Sequence, residues 1–208
     1  MKLAVFASGS GTNFQAVLDA IEAGDLPASA AVLISNDPDA GATDRAERHD
    51  VPTEIAHPGT DDHAERLLRV LERHDADFAA LAGYLKKIPS DVVRTFRHRM
   101  LNIHPALLPA FGGKGYYGMR VHRAVIERGV RWTGATVHLV DEDYDTGPIV
   151  LQTPVPVRPH DTPQTLADRV LEVEHRLLPE ALRLFAENRV TVKDRRVHIA
   201  DHNTGDPM

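Results

Sequence analysis

Residues 2–15, KLAVFASGSGTNFQ, decide how the rest of the chain is read. The apolar run Leu3–Ala7 stops at Ser8-Gly9-Ser10-Gly11-Thr12-Asn13, a stretch of glycines and small polar residues. Phe14, Val17, Leu18 and Ile21 then recur at helical spacing as far as Gly24. A short run that is apolar without alternation fits a strand buried on both faces, as in a parallel sheet. The turn that follows leads into a helix N-terminus, where unpaired backbone N–H groups favour an anion.

The same alternation continues. Residues 30–36, 52–56, 76–83 and 100–104 read as strands, and residues 41–50, 61–75 and 89–97 as helices. The segment 61–75 is strongly amphipathic, with Leu67, Leu68, Val70 and Leu71. Strands alternating with helices predict an α/β fold, a Rossmann-like, mostly parallel sheet with helices on both faces. Ligands in such sheets lie beyond the C-terminal ends of the strands. The second half changes character. Residues 131–141 and 147–157 are β-branched runs flanking the acidic turn DEDYDTG, and they predict antiparallel additions that complete the sheet. Residues 162–188 predict a long helix with Thr162 as N-cap and Pro163 as its first residue, which Pro179 should bend or interrupt. Residues 189–199 predict a terminal hairpin. The expected organisation is one domain over 1–199 and a flexible tail over 200–208.

Composition narrows the function classes. The 208 residues include 24 Lys and Arg against 30 Asp and Glu, a net charge of −6, which argues against a general nucleic-acid binder. There is no cysteine, so disulfides, a thiolate nucleophile and Cys-based zinc sites are excluded, and a cytoplasmic location is the expectation. No apolar stretch approaches the length of a membrane span.

Three stretches carry candidate chemistry. The SGSGTNF turn lacks the third glycine of a dinucleotide fingerprint, because Phe14 stands there. The place of the ribose-binding acid falls near Asn36, and no Gly-Lys-Ser/Thr occurs. What remains suits a single phosphate held by backbone N–H groups with Thr12 and Asn13; the bland alternative is a β–α turn in which those two side chains act as caps. In LNIHPALLP (101–109), Asn102 and His104 share one face of a strand that Pro105 ends at the sheet's C-terminal edge. An amide and an imidazole side by side can stabilise an oxyanion and move protons. In DEDYDTGPIV (141–150), the carboxylates lack the spacing of a calcium loop. Asp141, Glu142 and Asp143 read as an acidic turn, and Asp145 reads as a partner for a catalytic histidine. Softer signals are AGYLKKIP (82–89), where Tyr84, Leu85 and Ile88 could line an apolar slot, and VEHRLLP (173–179). There Glu174 and His175 read by themselves as a solvated helix face.

SGSGTN, LAGYLKKIP, LNIHPALLP, DEDYDTGPIVLQ and EHRLLP, in this order and over residues 1–199, resemble the folate-dependent formyltransferases. Within them the chain looks like the phosphoribosylglycinamide formyltransferases of purine synthesis. The resemblance implies the formyltransferase fold and transfer of the formyl group of 10-formyltetrahydrofolate to the amine of glycinamide ribonucleotide, through a tetrahedral intermediate and without metal. It implies Asn102, His104 and Asp145 as catalytic residues, and Gly11, Thr12, Asn13 and Glu174 on the ribonucleotide. It also implies Leu85, Lys86, Lys87, Ile88, Asn102, Val140, Asp141 and Asp145 around the folate, with Asp145 raising the pKa of His104. No nucleic acid or membrane is implied as a partner, and the protein is expected as a monomer or homodimer. The loop GGKGYYGM (112–119) is longer than in many relatives, and no arginine in HPGTDDHAERL (57–67) stands on the phosphate side. Methionyl-tRNA formyltransferase, formyltetrahydrofolate hydrolase and a non-catalytic nucleotide-binding module are the rival readings. The first two would be expected to carry an extra domain, and the third has no need for Asn102, His104 and Asp145 together.

Overall fold

Strand β1 (Lys2–Ala7) is buried from Leu3 onward, and its alternating side chains feed two cores. Leu3, Val5 and Ala7 face one layer and Ala4 and Phe6 the other, the period-two consequence of an extended backbone. In the computed structural model, which describes residues 1–201, the remaining elements follow in chain order. These are α1 (Thr12–Glu22), β2 (Ser29–Ser35), α2 (Gly41–Arg48), β3 (Thr53–Ile55), α3 (His63–Arg73), β4 (Phe78–Leu81), α4 (Ser90–Thr95) and β5 (Met100–His104). Then come α5 (Met119–Glu127), β6 (Trp132–Leu139), β7 (Ile149–Pro156), α6 (Pro163–Ala186), β8 (Val190–Lys193) and β9 (Arg196–Ile199).

Strands β1 to β7 form a seven-stranded sheet in the order β3-β2-β1-β4-β5-β6-β7. Pairings from β3 through β5 are parallel, and β5–β6 and β6–β7 are antiparallel. The predicted parallel sheet with antiparallel additions is what is found. One layer buries Phe14 and Val17 of α1, Val121 of α5, and Leu166, Leu178 and Leu182 of α6. The other buries Leu67 and Leu71 of α3 and Val92 of α4. Each fully buried leucine of this kind contributes about 1.5–3 kcal/mol relative to exposure.

One expectation is corrected. Helix α6 runs unbroken through Pro179 for 24 residues. The proline removes one backbone donor, but Leu177, Leu178, Ala181 and Leu182 around it are all buried, and packing holds the helix together across the gap. The terminal hairpin forms as predicted, as β8–β9, turning at Asp194 and Arg195 with both residues at positive φ, and it is a separate two-stranded sheet. Thr162 caps α6 as expected, accepting from Thr165 N–H, with Pro163 at the first helical position. The tail expected over 200–208 falls almost wholly outside the described residues. No helix among the described residues is long and apolar enough to cross a membrane.

Candidate active site

The C-terminal ends of β1, β4, β5 and β6 open into a cavity of about 720 Å³. Every site residue implied by the resemblance lines it: Gly11, Thr12, Asn13, Leu85, Lys86, Lys87, Ile88, Asn102, His104, Val140, Asp141, Asp145 and Glu174.

One end is the turn between β1 and α1. Gly11 sits at the N-cap with φ +71°, and no side chain among the described residues caps the helix. Thr12 and Asn13 therefore do not spend their side chains on capping, contrary to the bland reading of the turn. Gly11 is required twice over, because its φ is left-handed and a Cβ there would lie 2.6 Å from Ala42 Cα. Asn36, at the end of β2, accepts a hydrogen bond from the Ser8 hydroxyl, and Ser8 Oγ in turn accepts from Leu85 N–H at 2.9 Å. Serine 8 thus ties the anion turn to the 83–88 loop.

Glu174 corrects the reading of α6 as solvated at this point. It is only 8% exposed and accepts a 2.6 Å hydrogen bond from Asn13 Nδ2. Burial pushes its carboxyl up to about 7, against the opposing effect of that hydrogen bond. Asn13 Oδ1 is buried with no hydrogen-bond partner among the described residues. The folded carboxyl keeps its proton to about pH 7, whereas the unfolded one loses it near the ordinary value of 4.5. Stability therefore falls as pH rises through that window, by about 3 kcal/mol in full. Glu174→Gln keeps the acceptor for Asn13 and removes the charge. It is expected to melt higher than the native protein at pH 8 and at the same temperature at pH 4, as measured by thermal unfolding.

The other end holds the reacting groups. Asn102 and His104 both line the cavity from β5, and His104 is 3% exposed. His104 Nε2 lies 2.8 Å from the Phe111 carbonyl, which can only accept, so Nε2 carries the proton. That leaves Nδ1 toward Asp145 Oδ2 at 3.6 Å. Asp145 has φ +57°, a conformation that a short acidic side chain tolerates, and its Oδ2 also accepts from Gly113 N–H at 2.8 Å. Gly147 fixes this turn, since a Cβ on it would lie 1.7 Å from the Leu139 carbonyl oxygen.

His138 was not singled out from the sequence. It is the register partner of Asn102 across the antiparallel β5–β6 pair. Its Nδ1 lies 2.8 Å from the Leu139 carbonyl and so carries the proton, leaving Nε2 to accept from Asn102 Nδ2 at 3.0 Å. The second amide hydrogen of Asn102 has only a long contact, 3.4 Å, to Asp145 Oδ1. Burial pushes His104 down, and the nearby Asp145 charge offsets this only in part. The expected upward pull of Asp145 is present, but the net shift is downward. For Asp145, burial acts upward and is outweighed by the two imidazoles and the Gly113 N–H, so its carboxyl lies below the usual range.

The remaining candidates divide. Tyr84 and Ile88 are buried in the α3–α4 core layer, whereas Leu85 is 52% exposed. Asp141 spends its carboxylate on Thr146 Oγ1 at 2.5 Å and Asp143 N–H at 3.3 Å, holding its own turn. Lys87 lies 5.7 Å over the Tyr144 ring, and Lys114, Tyr116, Tyr117 and Arg120 line the cavity from the long loop and the start of α5. His122 of α5 is a second residue not foreseen. It lines the cavity, is buried, is pushed down to about 4 by burial and then by His104, and its Nδ1 has no partner among the described residues.

Comparison with known proteins agrees with this geometry. The profile of the family described as formyl transferase matches residues 1–182. The chain is 45% identical over 194 residues to a chloroplastic phosphoribosylglycinamide formyltransferase of Vigna unguiculata, covering 91% of this chain and 62% of that protein. It thus spans less than two thirds of that relative's length. It is 35% identical over 186 residues to the phosphoribosylglycinamide formyltransferase of Bacillus subtilis, covering 88% and 93% of the two chains. The crystal structure of glycinamide ribonucleotide transformylase 1 from Symbiobacterium toebii superposes with a TM-score of 0.90 at 41% identity, over 97% of this chain and 94% of that one. An uncapped anion turn at one end of a cavity, an Asn–His–Asp cluster at the other, and a match that spans both ends place the chain in the formyl transferase family.

Proposed function

We propose that residues 1–199 form one cytoplasmic formyltransferase domain that moves the formyl group of 10-formyltetrahydrofolate to the amine of glycinamide ribonucleotide. One observation carries the reading: a single cavity joins an uncapped helix N-terminus beside Asn13 and Glu174 to the cluster of Asn102, His104 and Asp145. A phosphate monoester is held by the N–H groups of Gly11, Thr12 and Asn13, with Glu174 on the glycinamide side. The folate lies against Leu85 to Ile88 and the 140–145 turn.

The amine nitrogen bonds to the formyl carbon, and the C=O pair moves to oxygen. That oxygen is met by Asn102 Nδ2, which gives up its long contact to Asp145, and by protonated His104 Nδ1. Protonation of Nδ1 uses the proton that the attacking amine releases, and Asp145 stabilises the imidazolium so formed. The oxygen's pair then re-forms the C=O as the carbon–nitrogen bond to the folate breaks, and His104 passes its proton to the departing folate nitrogen. Holding both partners in one cavity supplies the rest, and no covalent nucleophile on the protein is needed.

The test is an assay of purified protein with both substrates. Formation of tetrahydrofolate only when glycinamide ribonucleotide is present is the expected result. Formate released equally without it would assign a hydrolase, and no release at all would overturn the reading.

A further inference from the structure

Behind the Ser10–Asn13 turn lies α2, and its contacts determine which way the turn's peptide groups face. Ala42 N–H donates to the Gly9 carbonyl at 3.1 Å, and Arg45 Nε donates to the Ser10 carbonyl at 2.8 Å. In a planar trans peptide the carbonyl and the following N–H point in opposite directions. Drawing the Gly9 and Ser10 carbonyls back to α2 therefore turns the N–H groups of Ser10 and Gly11 the other way, toward the cavity that both residues line. Gly11 is pressed against Ala42 on the same side. The Arg45 guanidinium is fixed at its other end by a 2.9 Å bond from Nη1 to Gln15 Oε1, on the first turn of α1. It spans the turn and the helix it leads into.

We propose that Arg45, which lines no part of the cavity itself, is the positioning residue for the phosphate end of the substrate. It holds the Ser10 peptide in the one orientation that presents donors and no acceptor, and its charge stands directly behind the turn. This gives the anion site a cation even though the 57–67 segment supplies no arginine toward it. The proposal rests on the reading of the turn as a phosphate site. Without Arg45 the Ser10 peptide is free to rotate and show its carbonyl to the anion, and the nest of N–H groups is lost.

The experiment compares Arg45→Met with the native enzyme. The KM for glycinamide ribonucleotide is expected to rise about tenfold, the order of a charge-assisted hydrogen bond, while kcat changes by less than about twofold. With the dephosphorylated riboside the two enzymes are expected to match. An unchanged KM, or an equal loss on both substrates, would overturn the proposal. Titration with ribose 5-phosphate separates it from the assigned reaction. If the native enzyme forms no product yet binds ribose 5-phosphate more tightly than Arg45→Met, the reaction is wrong and the clamp stands. Equal affinities, or no binding to the native protein, overturn the clamp. Should Arg45→Met fail to fold, Arg45→Lys is read instead: it keeps the charge but loses the bond from Nε to the Ser10 carbonyl, so the KM for glycinamide ribonucleotide is expected to rise by a smaller factor with the riboside again unaffected, and an unchanged KM overturns the clamp.

Discussion

His104→Ala is expected to lower kcat for formyl transfer by about a thousandfold, with circular dichroism and melting temperature close to native. The size combines loss of a proton carrier, typically worth about a hundredfold or more, with loss of one donor to the developing oxyanion. The fold should tolerate the change because His104 sits at the last position of β5, and the strand's neighbours, Leu101 and Ile103, face the other layer. Steady-state kinetics with both substrates saturating are the check, and a rate within tenfold of native would remove the imidazole from the mechanism. His104→Gln is the sharper variant. It can still donate to the Phe111 carbonyl, so a loss as deep as that of alanine would assign the effect to proton transfer and not to the anchoring of the loop.

Asp145→Asn is expected to cost about a hundredfold at neutral pH and to move the pH profile. Asp145 carries the charge that partly offsets the burial of His104. Removing it leaves only the Phe111 carbonyl to oppose burial, so His104 becomes harder to protonate, and the limb of the profile that reports its ionisation moves to lower pH. The comparison is kcat against pH for the two enzymes. A profile that falls in height but keeps its position would contradict the pairing, and would leave Asp145 its contacts from Gly113 N–H and Asn102.

How much of this was legible in the sequence depended on how far each contact reaches along the chain. The parallel half of the sheet followed from local patterns, because a buried strand and an amphipathic helix each declare themselves within a dozen residues. Asn102 and His104 were found because strand periodicity puts them on one face, and Asp145 because the Thr-Gly-Pro that follows it demands a turn. His138 was out of reach. Its pairing with Asn102 is a matter of antiparallel register, and shifting the register by one residue would have turned it to the opposite face. Glu174 was misread as solvated by local pattern alone, since what buries it is the packing of α6 against α1, and nothing in EHRLLP signals that. The continuity of α6 at Pro179 was misjudged for a related reason. Propensity is local, and the packing that overrides it is not. Arg45 was invisible, because its function is expressed through the backbone of another element.

The hydrogen bond from Asn13 to Glu174 spans 161 residues of chain. As the ribosome extends the polypeptide, the anion turn and β1 emerge almost at once, and the other parallel strands follow them. The carboxylate that completes that end of the cavity is not made until nearly everything else is. A ring of this size closes at a modest entropic cost in the finished protein but late in time. The binding site is therefore also a completeness gauge. A nascent or truncated chain that lacks α6 has lost the helix that closes one core layer, and with it the acceptor that orients Asn13. Ligand binding at that end of the cavity, where Glu174 meets Asn13, then reports that the last long helix has docked.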